Sequence, residues 1–279
     1  MELDQLYSTP MLTLELKQKS SVPLEVEGLT PDVAKGLSLA EIEKFEMFQG
    51  NRKIPLAEFF TVSGDPSDEV FEWHGDLSGV HWIGAKMTSG RMQILGNAGR
   101  HLGSEMTGGE IHVAGDAGDW VGGEMQGGLI HVRGKAGHLI GAAYRGSARG
   151  MTKGTILIGG DAGNEVGHTL RRGLIAVGGN CGDLAGFNML AGTILLFGET
   201  GIRHGAGMRR GTIGFFGPAP PMLPTFRLAC RYSPEALRLM AMELKRLEFA
   251  RWEQLLSPVD LYNGDMIEGG RGEVLVRAA

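Results

Sequence analysis

Cysteine is nearly missing. The chain holds only Cys181 and Cys230 among its 279 residues, too few and too isolated for an iron–sulfur cluster or a zinc framework. A reducing, cytoplasmic setting is the expectation. Basic charge is also short: 27 Lys and Arg stand against 32 Asp and Glu, for a net charge of −5. A dedicated nucleic-acid binder would show a basic excess. No apolar run reaches the roughly 18 residues that cross a bilayer. The first ten residues, MELDQLYSTP, carry acids and no apolar signal core, so no secretory peptide is expected. Aromatics make up only 7%.

Glycine is abundant, with 46 residues, more than twice the usual share of about 7%. The stretch GDAGDWVGGEMQGG at 115–128 raises the thought of a phosphate loop. Its recurrence excludes that. A dinucleotide loop occurs once, between a strand and a helix. Here the pattern G-x-x-G-x-x-x-G returns every 19 residues, in copies starting at 91, 110, 129, 155, 174, 193 and 212. The step from 129 to 155 carries seven extra residues, and an imperfect earlier copy spans 72–90.

The consensus T-I-x-V-x-G-x-x-G-x-x-x-G-x-x-M-x-x-G assigns each position a physical task. Positions 2 and 4 are apolar, as in Ile111/Val113, Ile130/Val132, Ile156/Ile158, Ile175/Val177 and Ile194/Leu196. One residue between two apolar ones marks a short strand with one buried face. Position 16 is Met87, Met106, Met125, Met151, Leu170, Met189 and Met208, a flexible column that fills a narrow core. Glycines at positions 6, 9, 13 and 19 serve corners. Nineteen residues hold three very short strands and three corners. Stacked units of this kind form an all-β solenoid of about seven coils.

The flanks differ. Residues 1–70 read as a small N-terminal α+β cap, with MLTLELK and VPLEVEG as strands, Ser38 and Glu41 as a capping box, and a turn at Gly50-Asn51. Residues 71–217 are the glycine-rich coils, and 218–279 form a C-terminal extension. GPAPPMLPT leaves the coils in extended form. SPEALRLMAMELKRLEFARW is the single strong helix, with Ser233 as N-cap, Pro234 at its first position, and Leu237, Met240, Leu244 and Leu247 on one face. Outward strand positions turn apolar in the late coils, at Leu157, Leu174, Ala176, Leu195, Phe197 and Phe216. That side requires a cover, from this helix or from another polypeptide. The tail DLYNGDMIEGGRGEVLVRAA reads as a turn and a short strand.

All eight histidines lie in the coils, and His112 and His131 share position 3 of adjacent copies. No third ligand column accompanies them, so surface or interface roles are expected rather than a metal site. Asp116, Asp161, Glu105 and Glu124 read as polar corner residues. Cys181 occupies a variable position without a partner pattern. No nucleophile–base set and no acid pair emerges, so no catalytic residue is assigned. The basic residues are more informative. Arg171-Arg172 and Arg209-Arg210 hold positions 17 and 18 of coils two steps apart, with Lys153 in the coil before. The inserted loop adds Arg145 and Arg149. These seven residues form a candidate anion site for a polycarboxylate or phosphate.

LTPDVAKGLSLAEIEKFEMFQGNRKIPLAEFFTVSGD at 29–65, followed by the coils, resembles the C subunit of formylmethanofuran dehydrogenase, and in particular that of the bacterial formyltransferase/hydrolase complex. The coils alone are also similar to the C-terminal domain of the glutamate synthase large subunit, which lacks this N-terminal module. The resemblance implies a right-handed β-helix without an active site of its own. It implies partners that do the chemistry: an amidohydrolase-like subunit, a formyltransferase subunit and a subunit related to molybdopterin enzymes. It implies work in tetrahydromethanopterin-linked formaldehyde oxidation, where a formyl group passes to a methanofuran-type carrier and leaves as formate. The polyglutamate tail of that carrier is then the expected contact of the basic residues, with no covalently bound cofactor. The competing expectation is an autonomous carbohydrate-active or sugar-binding β-helix. Such proteins display paired acids and aromatics along a groove, and this chain has four Trp, four Tyr and no paired acidic column.

Overall fold

The computed structural model describes residues 11–278. The N-terminal segment expected to lack a secretory signal lies outside the described residues. The described residues form two sheets and three α-helices and are mainly β. The elements run β1 (Leu12–Leu16), β2 (Leu24–Glu25), α1 (Pro31–Ala34), α2 (Leu39–Glu43), β3 (Glu46–Gln49), β4 (Arg52–Pro55), β5 (Phe60–Gly64), β6 (Val70–His74) and β7 (Val80–His81). The recurring strands follow as β8 (Arg91–Ile94), β9 (Glu110–Val113), β10 (Leu129–Val132), β11 (Thr155–Ile158), β12 (Leu174–Val177), β13 (Thr193–Leu196) and β14 (Gly211–Phe215). The C-terminal extension adds β15 (Arg227–Tyr232), α3 (Glu235–Arg246), β16 (Val259–Gly264) and β17 (Gly272–Arg277).

Strands β6 and β8 through β14 pair in parallel, each with its successor, without a slip in register. Identical repeat positions therefore sit over one another: Ile111 on Ile130, Ile130 on Ile156, Ile156 on Ile175. Each coil from residue 91 to residue 211 contributes one four-residue strand and a single further bridge position, not three strands. The bridge column is Leu77, Ala98, Ala117, Ala136, Ala162, Cys181 and Thr200. The reason is backbone geometry. Position 11 has positive φ in every coil before the last, truncated one, at Trp82, His101, Trp120, Leu139, Glu165, Leu184 and Arg203, which breaks extended pairing. Gly122 shows why position 13 stays glycine: its φ is +61°, and an added Cβ would run into Cδ1 of Ile156.

The core of the stack consists of columns at positions 2, 4, 8, 12 and 16. The position-16 residues, from Met87 to Met208, are wholly buried. Cys181 belongs to the bridge column, directly beside Ala162 and Thr200, and is buried there. The first coil begins at Val70, opposite Arg91, rather than at residue 72. Its two extra residues fall between Leu77 and Trp82, where Val80–His81 pairs with β2 of the cap.

The corner acids do more than face water. Asp116 Oδ1 accepts the N–H of Lys135, and Asp161 Oδ1 accepts that of Asn180. Asp119, Asn164 and Asp183 repeat this at position 10, for His138, Asp183 and Ile202. Each coil thus caps backbone donors of the next, which would otherwise lack a protein partner.

Strands of the two flanks extend the ladder at both ends. β1 pairs in parallel with β6 and antiparallel with β5. β17 pairs in parallel with β14, and β16 and β15 follow antiparallel. The tail opens with β16, a strand not expected from the sequence, and then turns at Met266–Glu268 into β17, its antiparallel partner. VPLEVEG forms only the two-residue β2, whereas Gly50-Asn51 turns the chain between β3 and β4. Glu41 accepts from both the N–H and the hydroxyl of Ser38. α3 begins one residue later than expected, with Pro234 as N-cap, and ends at Arg246. Its buried side, Leu237, Ala241 and Leu244, packs with Leu157, Ala176, Leu195, Phe197 and Phe216. The cover over the late coils is therefore this chain's own helix.

Candidate functional site

The seven basic residues divide into three groups. Thr152 and Lys153 follow Met151, whose carbonyl accepts the N–H groups of Arg171 (2.9 Å) and Arg172 (3.2 Å). Lys153, Arg171 and Arg172 thus lie on adjacent coils, about 5 Å apart along the stack. Arg149 stands two residues before Met151, exposed in the inserted loop. Arg209 and Arg210 hold the same positions two coils beyond Arg171 and Arg172, separated from that row by Leu190-Ala191. Arg145 goes elsewhere: it lines a groove of about 270 Å³ with Trp120, Leu139, Tyr144, Ser147, Glu165 and His168. All seven are exposed except Arg171, which is half-buried. Among the described residues only Arg209 of the seven forms an ion pair, 3.3 Å from Glu268. Guanidinium and ammonium groups left without carboxylates are a donor set suited to carboxylates or phosphates.

One cluster was missed from sequence. Position 11 carries Trp82, His101 and Trp120 in successive coils. The rings of Trp82 and His101 stack at 4.1 Å and 5°, and Trp120 follows at 6.1 Å. Tyr144, from the insertion, lies over them, 4.7 Å from Trp120. Its hydroxyl donates to the buried Ser104 Oγ (2.7 Å) and lies 3.0 Å from His101 Nδ1. The N–H of Tyr144 donates to Glu124. The 19-residue spacing of the three rings was the available signal. That Tyr144 would meet them was not legible, because a loop's path is not periodic.

Burial holds these groups neutral. It pushes His101 down to about 4, with help from His81 and Arg100, and Tyr144 up to about 12 against the Ser104 hydrogen bond. His131 is also pushed down to about 4, by burial first and then by Arg133 and His112. Its ring lies 6.1 Å from that of His112, tilted rather than stacked. Burial raises the Cys181 thiol to about 12, which removes it as a nucleophile at neutral pH. No group of three or more His, Cys, Asp or Glu able to hold a metal ion occurs among the described residues. None of their helices is long and apolar enough to cross a membrane.

No model of a known protein family matches the chain. It is similar to the C subunit of the molybdenum-containing formylmethanofuran dehydrogenase 1 of Methanothermobacter thermautotrophicus, with 42% identity over 87 residues. That match covers 31% of this chain and 22% of the relative. The C subunit of the tungsten-containing formylmethanofuran dehydrogenase 2 of Methanothermobacter marburgensis is 36% identical over 95 residues, 35% of its length. The chain thus matches only about a fifth to a third of these curated relatives. The structural likeness is broader. A chain in the crystal structure of the formyltransferase/hydrolase complex FhcABCD from Methylorubrum extorquens, solved in complex with methylofuran, superposes with a TM-score of 0.88. That likeness covers 96% of this chain and all of the other, at 31% identity. With this coverage, the chain belongs to the family of formylmethanofuran dehydrogenase C subunits.

Proposed function

We propose that this chain is a non-catalytic structural subunit of a formyltransferase/hydrolase complex in tetrahydromethanopterin-linked one-carbon metabolism. In this reading the stacked coils form a right-handed β-helix, bounded by a cap at 1–70 and an extension at 218–279. The partners are an amidohydrolase-like subunit, a formyltransferase subunit and a subunit related to molybdopterin enzymes. They pass a formyl group to a methanofuran-type carrier and release formate.

The observation that carries the proposal is the near full-length likeness to a chain of a complex that holds methylofuran. The row of Lys153, Arg171 and Arg172 with Arg149 supports a contact with the carrier's polyglutamate tail. Its charges have no carboxylate partners among the described residues, and the coil spacing sets them at intervals an extended polyanion can follow. Isolation of the complex from its native cells with the three partner types and formyl-transfer activity is the expected result. Recovery of this chain alone would remove the proposal. For the row, the double change Arg171→Glu and Arg172→Glu should lower carrier retention about tenfold or more at low salt. Unchanged retention would exclude the tail contact.

A further inference from the structure

Exposed apolar side chains are concentrated in the C-terminal extension. Leu228, Tyr232, Leu239, Met242, Leu256, Met266 and Ile267 all lie there, whereas the coils expose only Leu95 and Ile202. The most exposed is Ile267, at 78%. It sits at the tip of the loop between β16 and β17, beside Met266 at 43%.

A loop that shows an isoleucine to water is ordinarily loose, but this one is pinned. Asp265 is 4% exposed. Its Oδ1 accepts the N–H of Ile267 (3.0 Å), and its Oδ2 accepts the N–H of Gly207 in the last coil (3.1 Å). The Asp265 carbonyl accepts from Glu268 (3.0 Å) and Gly270 (2.9 Å), and the N–H of Met266 donates to Thr225 (3.1 Å). The loop then leaves through Gly269 and Gly270, with φ of +94° and +66°. A buried carboxylate and five hydrogen bonds thus hold an apolar tip in a fixed outward position. Preorganised apolar anchors of this kind characterise protein contact surfaces, because little entropy is lost when they dock.

The surround is basic. Arg209 is paired with Glu268, Arg210 follows it in sequence, and Arg271 closes the loop. Three arginines stand against two carboxylates, Glu268 and the buried Asp265, and Arg210 and Arg271 have no ion-pair partner among the described residues. We infer that the Met266–Ile267 tip is a docking knob for another protein chain, one that offers an apolar pocket rimmed by carboxylates. The charge of the rim selects the partner, and the isoleucine fills the pocket. Arg209 and Arg210 then belong to a protein contact, and the anion row ends at Arg172. The inference shares with the proposed function the premise of an assembly, but not the carrier contact.

The test places a photo-crosslinking amino acid at position 267 in the full chain, expressed in its native cells and purified as the assembly. Crosslinks to a different chain, at peptides that contain Asp or Glu, are expected. In parallel, Ile267→Glu should weaken assembly about tenfold or more, read by native mass spectrometry. Its melting temperature should match wild type, because the side chain has no core contact to lose. An intact assembly without crosslinks at 267, or crosslinks only to a second copy of this chain, overturns the knob and leaves the proposed function standing. Recovery of the chain alone overturns both.

Discussion

The ring of Trp82 lies 4.1 Å from that of His101, with 5° between their planes. The corner does not require this, since Leu139, Glu165, Leu184 and Arg203 take the same positive-φ conformation in later coils. The aromatic column instead gives the Tyr144 ring a surface, and Tyr144 anchors the insertion. Tyr144→Ala should speed amide exchange of residues 144–149 about tenfold or more, an opening cost of at least about 1.4 kcal/mol. Tyr144→Phe keeps the ring and loses only the hydroxyl's contacts with Ser104 and His101, so it should change exchange less. Equal effects would mean that the hydroxyl, not the ring, holds the loop.

Acid should destabilise the chain through its buried histidines. His101 and His131 titrate near 4 when folded, and burial lowers His204 as well. The unfolded chain, with histidines near 6.5, binds more protons in between. Stability is therefore full above about pH 6.5 and falls as pH drops towards 4. Thermal melts across that window should show a declining midpoint. His131→Leu extends the apolar row formed by Leu157 below it, and should flatten the decline without loss at pH 7.

Leu244 is wholly buried between α3 and the late strands. Leu244→Ala should cost about 2–5 kcal/mol, read from the denaturant midpoint. The exposed neighbour Met242, at 68%, should tolerate alanine within about 0.5 kcal/mol. A small loss at Leu244 would mean that the helix is not the cover of the late coils.

Gly122→Ala meets two obstacles, a left-handed backbone and the Ile156 side chain. The backbone costs roughly 1–2 kcal/mol, and the steric overlap adds about 1–3 kcal/mol. The variant should be less stable than wild type by about 2 kcal/mol or more in denaturant melts. Exposed Gly146, whose added Cβ meets nothing within 4 Å, should lose only the backbone part.

The two thiols should separate by reactivity. Cys230 is exposed and Cys181 is buried, with its thiol at about 12. A thiol reagent added to the purified chain at pH 7 should modify one cysteine quickly and the second only after unfolding. Fast modification of both would show that the coil opens at Cys181.

Much of the fold was legible because burial repeats. Ile111, Ile130, Ile156 and Ile175 stand in one column, and the seven residues from Met87 to Met208 in another, so period alone placed them. The start of the first coil differs from the sequence expectation by two residues, because the extra pair before Trp82 sits at a corner where no side-chain pattern marks it. The basic residues were found as a group, but Arg145 has other neighbours than the sequence suggested. Its direction depends on the Tyr144 anchor, and that anchor depends on rings from three other coils.

The sequence by itself determined the repeat, its core columns at positions 2, 4 and 16, and the positions that must be glycine. These follow from side-chain size and backbone freedom within each unit. Tertiary structure alone decided that α3 covers the late coils, that Tyr144 closes over the aromatic column, and that Asp265 ties the Ile267 loop to Gly207. Each of those contacts joins segments far apart in the chain, and no local pattern records which distant surface a segment will meet.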